Sequence, residues 1–204
     1  MNDKLILTEE HFIARGGERD CYQHPLDSTK VIKVMYEKDG VYAYGGNRNN
    51  LEYKYYTFLE RSKISFSNIA RCYDFVETNL GLGLVFDKVF DFDGKISSSF
   101  RQLLIEKKFT IQEENLLIEK LKDYIFENSV LFIDCGVQNI LCCEYEKNKY
   151  KLVIIDGLGA KREGLRSWLY LNSKTYTKYK IKRQWIRFIE KYKIFKKKIA
   201  QQVV

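Results

Sequence analysis

Residues 131–159 read LFIDCGVQNILCCEYEKNKYKLVIIDGLG, and this stretch decides the predicted fold. It holds two short apolar runs, 131–133 and 151–155, and an aspartate follows each run, Asp134 and Asp156. Short apolar runs that are bounded by glycine and other turn residues are typical of buried strands. Two buried strands that each deliver a carboxylate into a turn indicate a functional site.

Asp134 and Asn139 have the Asp-x-x-x-x-Asn spacing of a kinase catalytic loop. In that loop the aspartate accepts a proton from the acceptor hydroxyl, and the asparagine amide oxygen reaches a metal ion. Asp156 stands where such folds place the carboxylate that holds Mg²⁺ under the nucleotide phosphates, and oxygen donors suit this hard cation. The spacing alone is a weak signal, because an Asp and an Asn that cap a turn give the same pattern.

The composition is that of an ordinary globular protein, with 45% hydrophobic and 30% charged residues among 204. Such a chain has room for one sizeable core or for two small lobes that share a cleft. No apolar run approaches the roughly 18 residues of a membrane span, and the first residues lack a signal-peptide pattern, which favours the cytoplasm. The five cysteines include no Cys-x-x-Cys pair, which favours free, buried thiols in a reducing compartment.

Residues 12–35 are predicted to form three strands that contain two groups able to bind phosphate. Gly16 and Gly17 lie in the turn between the first two strands, where glycine would let backbone amides approach a phosphate, although a plain hairpin turn explains them equally well. Lys33 lies in the run KVIKVM and resembles the strand lysine with which kinases grip the α and β phosphates. A solvated lysine is the alternative, but alternation places Val31 and Lys33 on one face, toward the interior.

A helix is predicted over residues 51–62, after an irregular loop over 36–50. Glu52 lies in the first turn of this helix, where it could pair with Lys33 and hold the lysine in place. The alternative is a surface glutamate that interacts favourably with the helix dipole.

The next elements are another hairpin, a hinge and a long helix. Two strands, 69–77 and 82–89, surround a hairpin turn. Residues 90–94 form a polar, glycine-ended break that suits an interlobe hinge. Thr110 and Glu113 have the spacing of a capping box, which predicts the start of a long helix.

The end of the chain is strongly basic. Residues 174–204 hold eleven of the 35 Lys and Arg residues but one of the 27 acidic residues, which leaves 24 basic and 26 acidic residues in the rest. Apolar residues recur there at steps of three and four, which predicts an amphipathic helix. The apolar stripe consists of Trp185, Phe188, Ile189, Tyr192, Phe195 and Ile199. Such a stripe usually packs on the core, and the alternative is a surface that docks on an anionic lipid or a phosphorylated glycolipid.

The motifs occur in the order that kinases show: a glycine-containing hairpin, a strand lysine, a helix glutamate, a hinge, a long helix, an Asp-x-x-x-x-Asn loop and an Asp-Gly turn. This order is more specific than any single motif. Three further segments, RDCYQHP at 19–25, DFDGK at 91–95 and QNILC at 138–142, resemble the family of the PhoP regulatory network protein YrbL. The resemblance extends over residues 7–192.

The resemblance implies a minimal two-lobed protein-kinase-like fold of the α+β class, a cytoplasmic location and a bacterial source. It also implies kinship with bacterial kinases that phosphorylate sugars of the lipopolysaccharide core. The N-lobe, residues 1–90, would hold a five-stranded sheet with one helix, and the C-lobe, residues 91–204, would be mostly helical.

The predicted site residues have three roles. The nucleotide-binding residues are Gly16, Gly17, Lys33 and Glu52, the metal ligands are Asn139 and Asp156, and the catalytic residues are Asp134 as the base and Lys33 as the phosphate grip.

Several positions depart from the kinase pattern. Of the three glycines in the kinase loop only Gly16 is in register, and Ala14 and Arg19 occupy the other two positions. Phe-Ile at 132–133 replaces the His-Arg that usually precedes the catalytic aspartate. Only 48 residues follow Asp156, which leaves little room for a peptide-binding lobe and favours a small or glycosidic acceptor over a protein.

The sequence therefore predicts an ATP- and Mg²⁺-dependent phosphotransferase that acts on an unidentified hydroxyl of a small molecule or a glycolipid sugar. A weak peripheral contact between the basic tail and the anionic inner membrane is a further expectation. The first alternative is a pseudokinase that binds nucleotide and regulates a partner without turnover, which the departures favour. The second is a nucleic-acid-binding protein that uses the basic tail, although this leaves the acidic cleft residues unexplained.

Overall fold

The computed structural model describes residues 4–38, 41–42 and 47–201 of the chain. Its N-terminal part is a five-stranded antiparallel sheet with one helix packed against it. The elements are β1 (Phe12–Arg15), β2 (Arg19–Gln23), β3 (Lys30–Met35), the short pair β4 (Glu37–Lys38) and β5 (Val41–Tyr42), α1 (Arg48–Arg61), β6 (Cys72–Thr78) and β7 (Gly81–Asp87). The sheet has the order β1-β2-β3-β7-β6, so that β3 lies at its centre.

The C-terminal part combines helices with a second sheet of three antiparallel strands. The elements are β8 (Ser98–Ser99), α2 (Phe100–Ile105), α3 (Ile111–Glu127), β9 (Ile140–Glu146), β10 (Lys149–Ile154), α4 (Leu165–Asn172) and α5 (Lys174–Gln201). The strand order is β10-β9-β8. The α+β class and the five-stranded N-terminal sheet with its single helix are thus confirmed, and the division at residue 90 stays a prediction.

The central strand β3 is buried on both faces, because its side chains alternate between two clusters. Val31 joins the large core, to which α1, α3 and α5 also contribute. Ile32 and Val34 face the other side of the sheet, where they pack with Leu7. Lys33 shares the face of Val31 and is 8% exposed, as the alternation in the sequence predicts.

The apolar run at 131–133 does not form the strand that the sequence predicts. Phe132 makes a single bridge with Leu158, and the backbone turns at Ile133 and Asp134. The backbone leaves the extended conformation directly after Phe132, so that pairing stops at one residue. The run is nevertheless buried as predicted, because Leu131 and Phe132 belong to the large core.

Helix α1 begins at Arg48, earlier than the predicted residue 51. The side chain of Arg48 donates to the carbonyl of Ala160 over 3.0 Å, and that of Asn49 donates to the carbonyl of Lys33 over 3.0 Å. These long-range contacts extend the helix beyond the residues that carry its apolar periodicity.

The loop predicted over residues 36–50 is described only in part. Residues 39–40 and 43–46, which include the three glycines of this segment, lie outside the described residues. The described part contains β4, β5 and the first residues of α1.

Helix α3 begins at the predicted capping box. The Thr110 hydroxyl accepts a hydrogen bond from the backbone N–H of Glu113, and the Glu113 carboxylate accepts one from the backbone N–H of Thr110 over 2.8 Å. Two of the N–H groups that a helix start leaves unpaired are thereby satisfied.

The predicted amphipathic helix is α5, and its apolar stripe packs on the core. Phe188 and Tyr192 are buried, and the ring of Phe188 lies 6.2 Å from that of Phe132, measured between centroids. The other members of the stripe pack against the same cluster. In the part of the chain that the structure describes, no helix is long and apolar enough to span a membrane.

If the stripe is core, Phe188→Ala should lower the free energy of unfolding by about 3–5 kcal/mol, because it leaves a large cavity. Ile186→Ala on the same helix is the matched control, since Ile186 is exposed, and it should change stability by about 0.5 kcal/mol or less. Urea unfolding of the two variants measures this difference. Equal effects would mean that the stripe does not pack on the core in solution.

Candidate functional site

Two turns that are distant in sequence interlock at the C-terminal end of β10. The backbone N–H groups of Ile133 and Asp134 both donate to the carbonyl of Gly157, each over 2.9 Å. The Asn139 amide donates to the carbonyl of Asp134 over 2.8 Å. Gly157 has a φ of +86°, and a Cβ at this position would lie 2.9 Å from the Cβ of Asp134. The close approach requires glycine at position 157, and it brings the turn after Asp156 against the loop that carries Asp134 and Asn139.

The carboxylate of Asp156 lies among three cations. The Arg19 guanidinium donates to Oδ1 over 3.0 Å, Lys33 Nζ lies 3.6 Å from Oδ2, and Arg48 Nη2 lies 3.6 Å from Oδ1. Burial alone would raise the pKa of Asp156, but Lys33, Arg19 and Arg48 outweigh it and hold the pKa well below its usual range. Asp156 is therefore ionised at any physiological pH.

Glu52 belongs to the same cluster as Asp156, which consists of Arg19, Lys33, Arg48, Glu52 and Asp156 and is here called the cleft, but its partner is Arg19 and not Lys33. The Glu52 side chain is fully buried, and its Oε2 accepts a hydrogen bond from Arg19 Nη1 over 2.5 Å. Lys33 Nζ donates instead to the carbonyl of Ile155 over 2.6 Å, beside Asp156. This corrects the predicted Lys33–Glu52 pair. A guanidinium presents several donors in a fixed plane and can bridge two carboxylates, whereas an ammonium is a single point charge.

Neither Arg19 nor Arg48 was predicted as a site residue. The sequence showed Arg19 as a replacement for the third glycine of the kinase loop and as the first residue of the family segment at 19–25, without a role in the site. That position is the first residue of β2, and the sheet directs its side chain into the cleft, where it is 6% exposed. An arginine at the start of an inner strand becomes buried, and a buried arginine needs carboxylates as partners. The replacement of the third loop glycine by arginine is therefore the signal that could have identified Arg19 as a site residue.

The turn that contains Gly16 and Gly17 is a hairpin turn in this structure. The Gly16 N–H donates to the carbonyl of Arg19 over 2.8 Å. The carbonyls of Gly16 and Gly17 accept from the Tyr36 hydroxyl over 3.0 and 3.1 Å. The geometry matches the plain-turn alternative, and phosphate binding by these two residues stays a prediction.

Asp134 lines a groove of ≈ 900 Å³, and Arg19, Lys33 and Arg48 are not part of its lining. Its side chain is 40% exposed, and Oδ1 accepts a hydrogen bond from Lys161 Nζ over 3.0 Å. The other walls of the groove come from residues 160–166 and from α5. A small molecule in this groove would meet the Asp134 carboxylate directly.

The predicted metal ligands provide two oxygen donors of the type that Mg²⁺ prefers, the carboxylate of Asp156 and the amide of Asn139. Among the described residues no group of three or more His, Cys, Asp and Glu side chains could hold a metal ion. Magnesium sites in nucleotide-binding proteins commonly use one or two protein carboxylates and complete the shell with phosphate oxygens and water. The three cations around Asp156 already offset its negative charge, which disfavours a metal ion bound on its own. The two oxygen donors therefore fit an ion that arrives together with a nucleotide.

The chain belongs to the family of the PhoP regulatory network protein YrbL, because the family model matches residues 5–193. Proteins named YrbL from Escherichia coli (strain K12) and Shigella flexneri are each 33% identical to the chain over 189 residues. The aligned region covers 91% of this chain and 86% of each relative. Both relatives are bacterial, which supports the expected bacterial source, and the predicted family resemblance is confirmed.

A double-mutant cycle checks which cation pairs with Glu52. Glu52→Gln should lower the free energy of unfolding by about 3 kcal/mol, because it leaves the buried Arg19 with less compensating charge. Glu60→Gln, an exposed position of the same helix, is the matched control and should have an effect within about 0.5 kcal/mol.

Combined with Arg19→Met, the Glu52 substitution should show an interaction energy of about 1–3 kcal/mol, and combined with Lys33→Met a smaller one. Urea unfolding of the wild type, the three single variants and the two double variants provides the six free energies that the two cycles need. A larger coupling of Glu52 to Lys33 than to Arg19 would restore the pair that the sequence predicted.

Proposed function

We propose that the protein is an ATP- and Mg²⁺-dependent phosphotransferase of the kinase-like class, with a hydroxyl of a small molecule or a glycolipid sugar as acceptor. One observation carries the proposal: Lys33, the loop that holds Asp134 and Asn139, and Asp156 come from three separate segments and meet at the two interlocked turns. Turn-capping residues that match a motif by chance have no need of a buried lysine beside the second aspartate.

Each of these residues has an environment that suits its proposed role. Asp134 is exposed to the groove, so it can accept a proton from an acceptor hydroxyl, and Lys161 would hold the carboxylate in position. Lys33, which lies beside Asp156, would bind the phosphates of ATP. Asp156 and Asn139 would hold Mg²⁺, which when bound supplies positive charge that offsets the charge of the phosphates.

The proposal includes a cytoplasmic location and kinship with the bacterial kinases of lipopolysaccharide core sugars. All five cysteines are free, and four of them are buried, as expected for a reducing compartment. A weak contact of the basic α5 with anionic membranes stays a prediction. Nucleic-acid binding is not favoured, because buried Phe188 and Tyr192 cannot stack on bases.

A thermal-shift titration tests the proposal, because a ligand that binds only the folded protein raises its apparent stability. ATP with Mg²⁺ should raise the melting temperature of the wild type more than ATP alone. Asp156→Asn should remove this dependence on Mg²⁺, since the metal loses its carboxylate ligand. Asp134→Asn should retain nucleotide binding and lower turnover by roughly 10²-fold or more, which is the usual scale for loss of a positioned base.

The control for both substitutions is Asp123→Asn, on the exposed face of α3, which should leave binding and turnover unchanged. Absence of any nucleotide shift in the wild type with Mg²⁺, Mn²⁺ or Ca²⁺ would exclude the proposed function.

A nucleotide-binding regulator without turnover is the second candidate, and the position of Arg19 favours it. The guanidinium bridges Glu52 and Asp156 and therefore occupies the carboxylate that a metal would need. In this case Arg19 and Mg²⁺ compete, and Arg19→Gln should bind MgATP more tightly than the wild type, without phosphoryl transfer. Arg15→Gln, an exposed arginine on β1, is the matched control. Calorimetric titration with MgATP decides this point, and weaker binding by Arg19→Gln would count against the regulator.

A further inference from the structure

The groove beside Asp134 carries much more positive than negative charge. Six basic residues line it, and they are Lys161, Arg162, Arg166, Lys180, Arg187 and Lys191. The acidic residues of the lining are Asp134 and Glu163. Both acids already have partners, because Asp134 pairs with Lys161 and Glu163 pairs over 2.9 Å with Lys54, which lies outside the groove.

Helix α5 supplies one complete wall of the groove. Lys180, Gln184, Arg187 and Lys191 are spaced four, three and four residues apart, which places them in one stripe along the helix. Within the described residues, no carboxylate lies within 4 Å of any of these three cations. Gln184 is 4% exposed, and its Oε1 lies 3.6 Å from the Cys135 thiol, which fixes this polar side chain on the floor of the groove.

The cations of the stripe repel one another at this site. Burial lowers the pKa of Lys180, and the nearby Arg187, Arg183 and Arg166 lower it further. A fold that holds like charges together without a counter-charge gains free energy when an anion enters. The groove has the volume of a small-molecule site, and its open side leaves room for a larger ligand to extend into solvent.

We infer that this basic groove is a binding site for a phosphate ester, and that Lys180, Arg187 and Lys191 contact its phosphate. If the protein is the phosphotransferase proposed above, the ester is the acceptor, and a free hydroxyl of the same molecule faces Asp134. The acceptor class is then a sugar that already carries a phosphate. The phosphate is recognised in the same way in a soluble sugar phosphate and in the headgroup of a lipid.

Calorimetric titration of the full-length protein with glucose 6-phosphate, without nucleotide, tests the site directly. We expect saturable binding that weakens with added salt and that glucose itself does not show. Lys180→Gln/Lys191→Gln should weaken this binding by about a hundredfold, because each of the two lost charged contacts is worth roughly tenfold.

The matched control is Lys182→Gln/Lys193→Gln, which removes the same charge from exposed positions of α5 with the same spacing but on another face. Lys180→Arg/Lys191→Arg should retain binding, since the charge stays in place. Unchanged urea midpoints would show that the variants fold.

Vesicles that contain phosphatidic acid, compared with phosphatidylcholine vesicles, identify the source of the ester. Co-sedimentation that depends on Lys180 and Lys191 but not on Lys182 and Lys193 assigns the groove to a lipid headgroup, and binding of glucose 6-phosphate alone assigns it to a soluble ester. The inference is overturned if Lys180→Gln/Lys191→Gln and Lys182→Gln/Lys193→Gln lower binding equally. It is also overturned if neither glucose 6-phosphate nor phosphatidic acid vesicles bind to the protein.

The experiments distinguish a groove that does not bind phosphate esters from a protein that is not a phosphotransferase. Binding of phosphate esters without a MgATP-dependent thermal shift would support the groove and exclude the phosphotransferase. A MgATP-dependent thermal shift without binding of phosphate esters would retain the phosphotransferase and overturn the groove.

Discussion

The guanidinium of Arg19 connects three segments that are far apart in the sequence. It lies at the start of β2 and donates to Glu52 on α1 and to Asp156 in the turn that follows β10. The removal of such charges from water is costly, so the network is weak evidence for a gain in stability. The network constrains the relative position of three elements, because β2, α1 and the turn after β10 have to meet closely for Arg19 to reach both carboxylates.

This constraint sets the electrostatics of the cleft. Arg19, Lys33 and Arg48 provide three positive charges against the two carboxylates of Glu52 and Asp156. The cleft therefore keeps an excess of positive charge before any ligand arrives. A metal ion on its own would add to this excess, whereas a nucleotide with its metal would bring a net negative charge. The same contacts that argue against a resident metal ion are compatible with a metal–nucleotide complex.

Much of this arrangement could be predicted because it is encoded locally. Alternation along β3 identified the inward direction of Lys33, and the capping box located the start of α3. The spacing of Asp134 and Asn139 predicted a turn that the structure forms around Gly157.

The partners of these residues could not be predicted in the same way, because a partner across the fold leaves no periodic signal. Arg19 is 137 residues from Asp156 in the chain, and nothing in the sequence pattern connects the predicted metal ligand with this arginine. The helical pattern of α5 showed that its basic residues avoid the apolar stripe. It could not show which of them face Asp134, because that depends on how α5 packs against the segment at 160–166.

Family membership alone does not determine the activity, which has to be argued from the site. The two positively charged regions, the cleft around Asp156 and the groove lined by α5, are joined by the two interlocked turns that carry Asp134 and Asp156. Transfer of a phosphoryl group to an acceptor that is already phosphorylated brings two anions together, and their repulsion opposes the reaction. Cations near both anions offset this repulsion, and a carboxylate close to the acceptor hydroxyl can then accept its proton. This is the distribution of charge that the chain presents around Asp134.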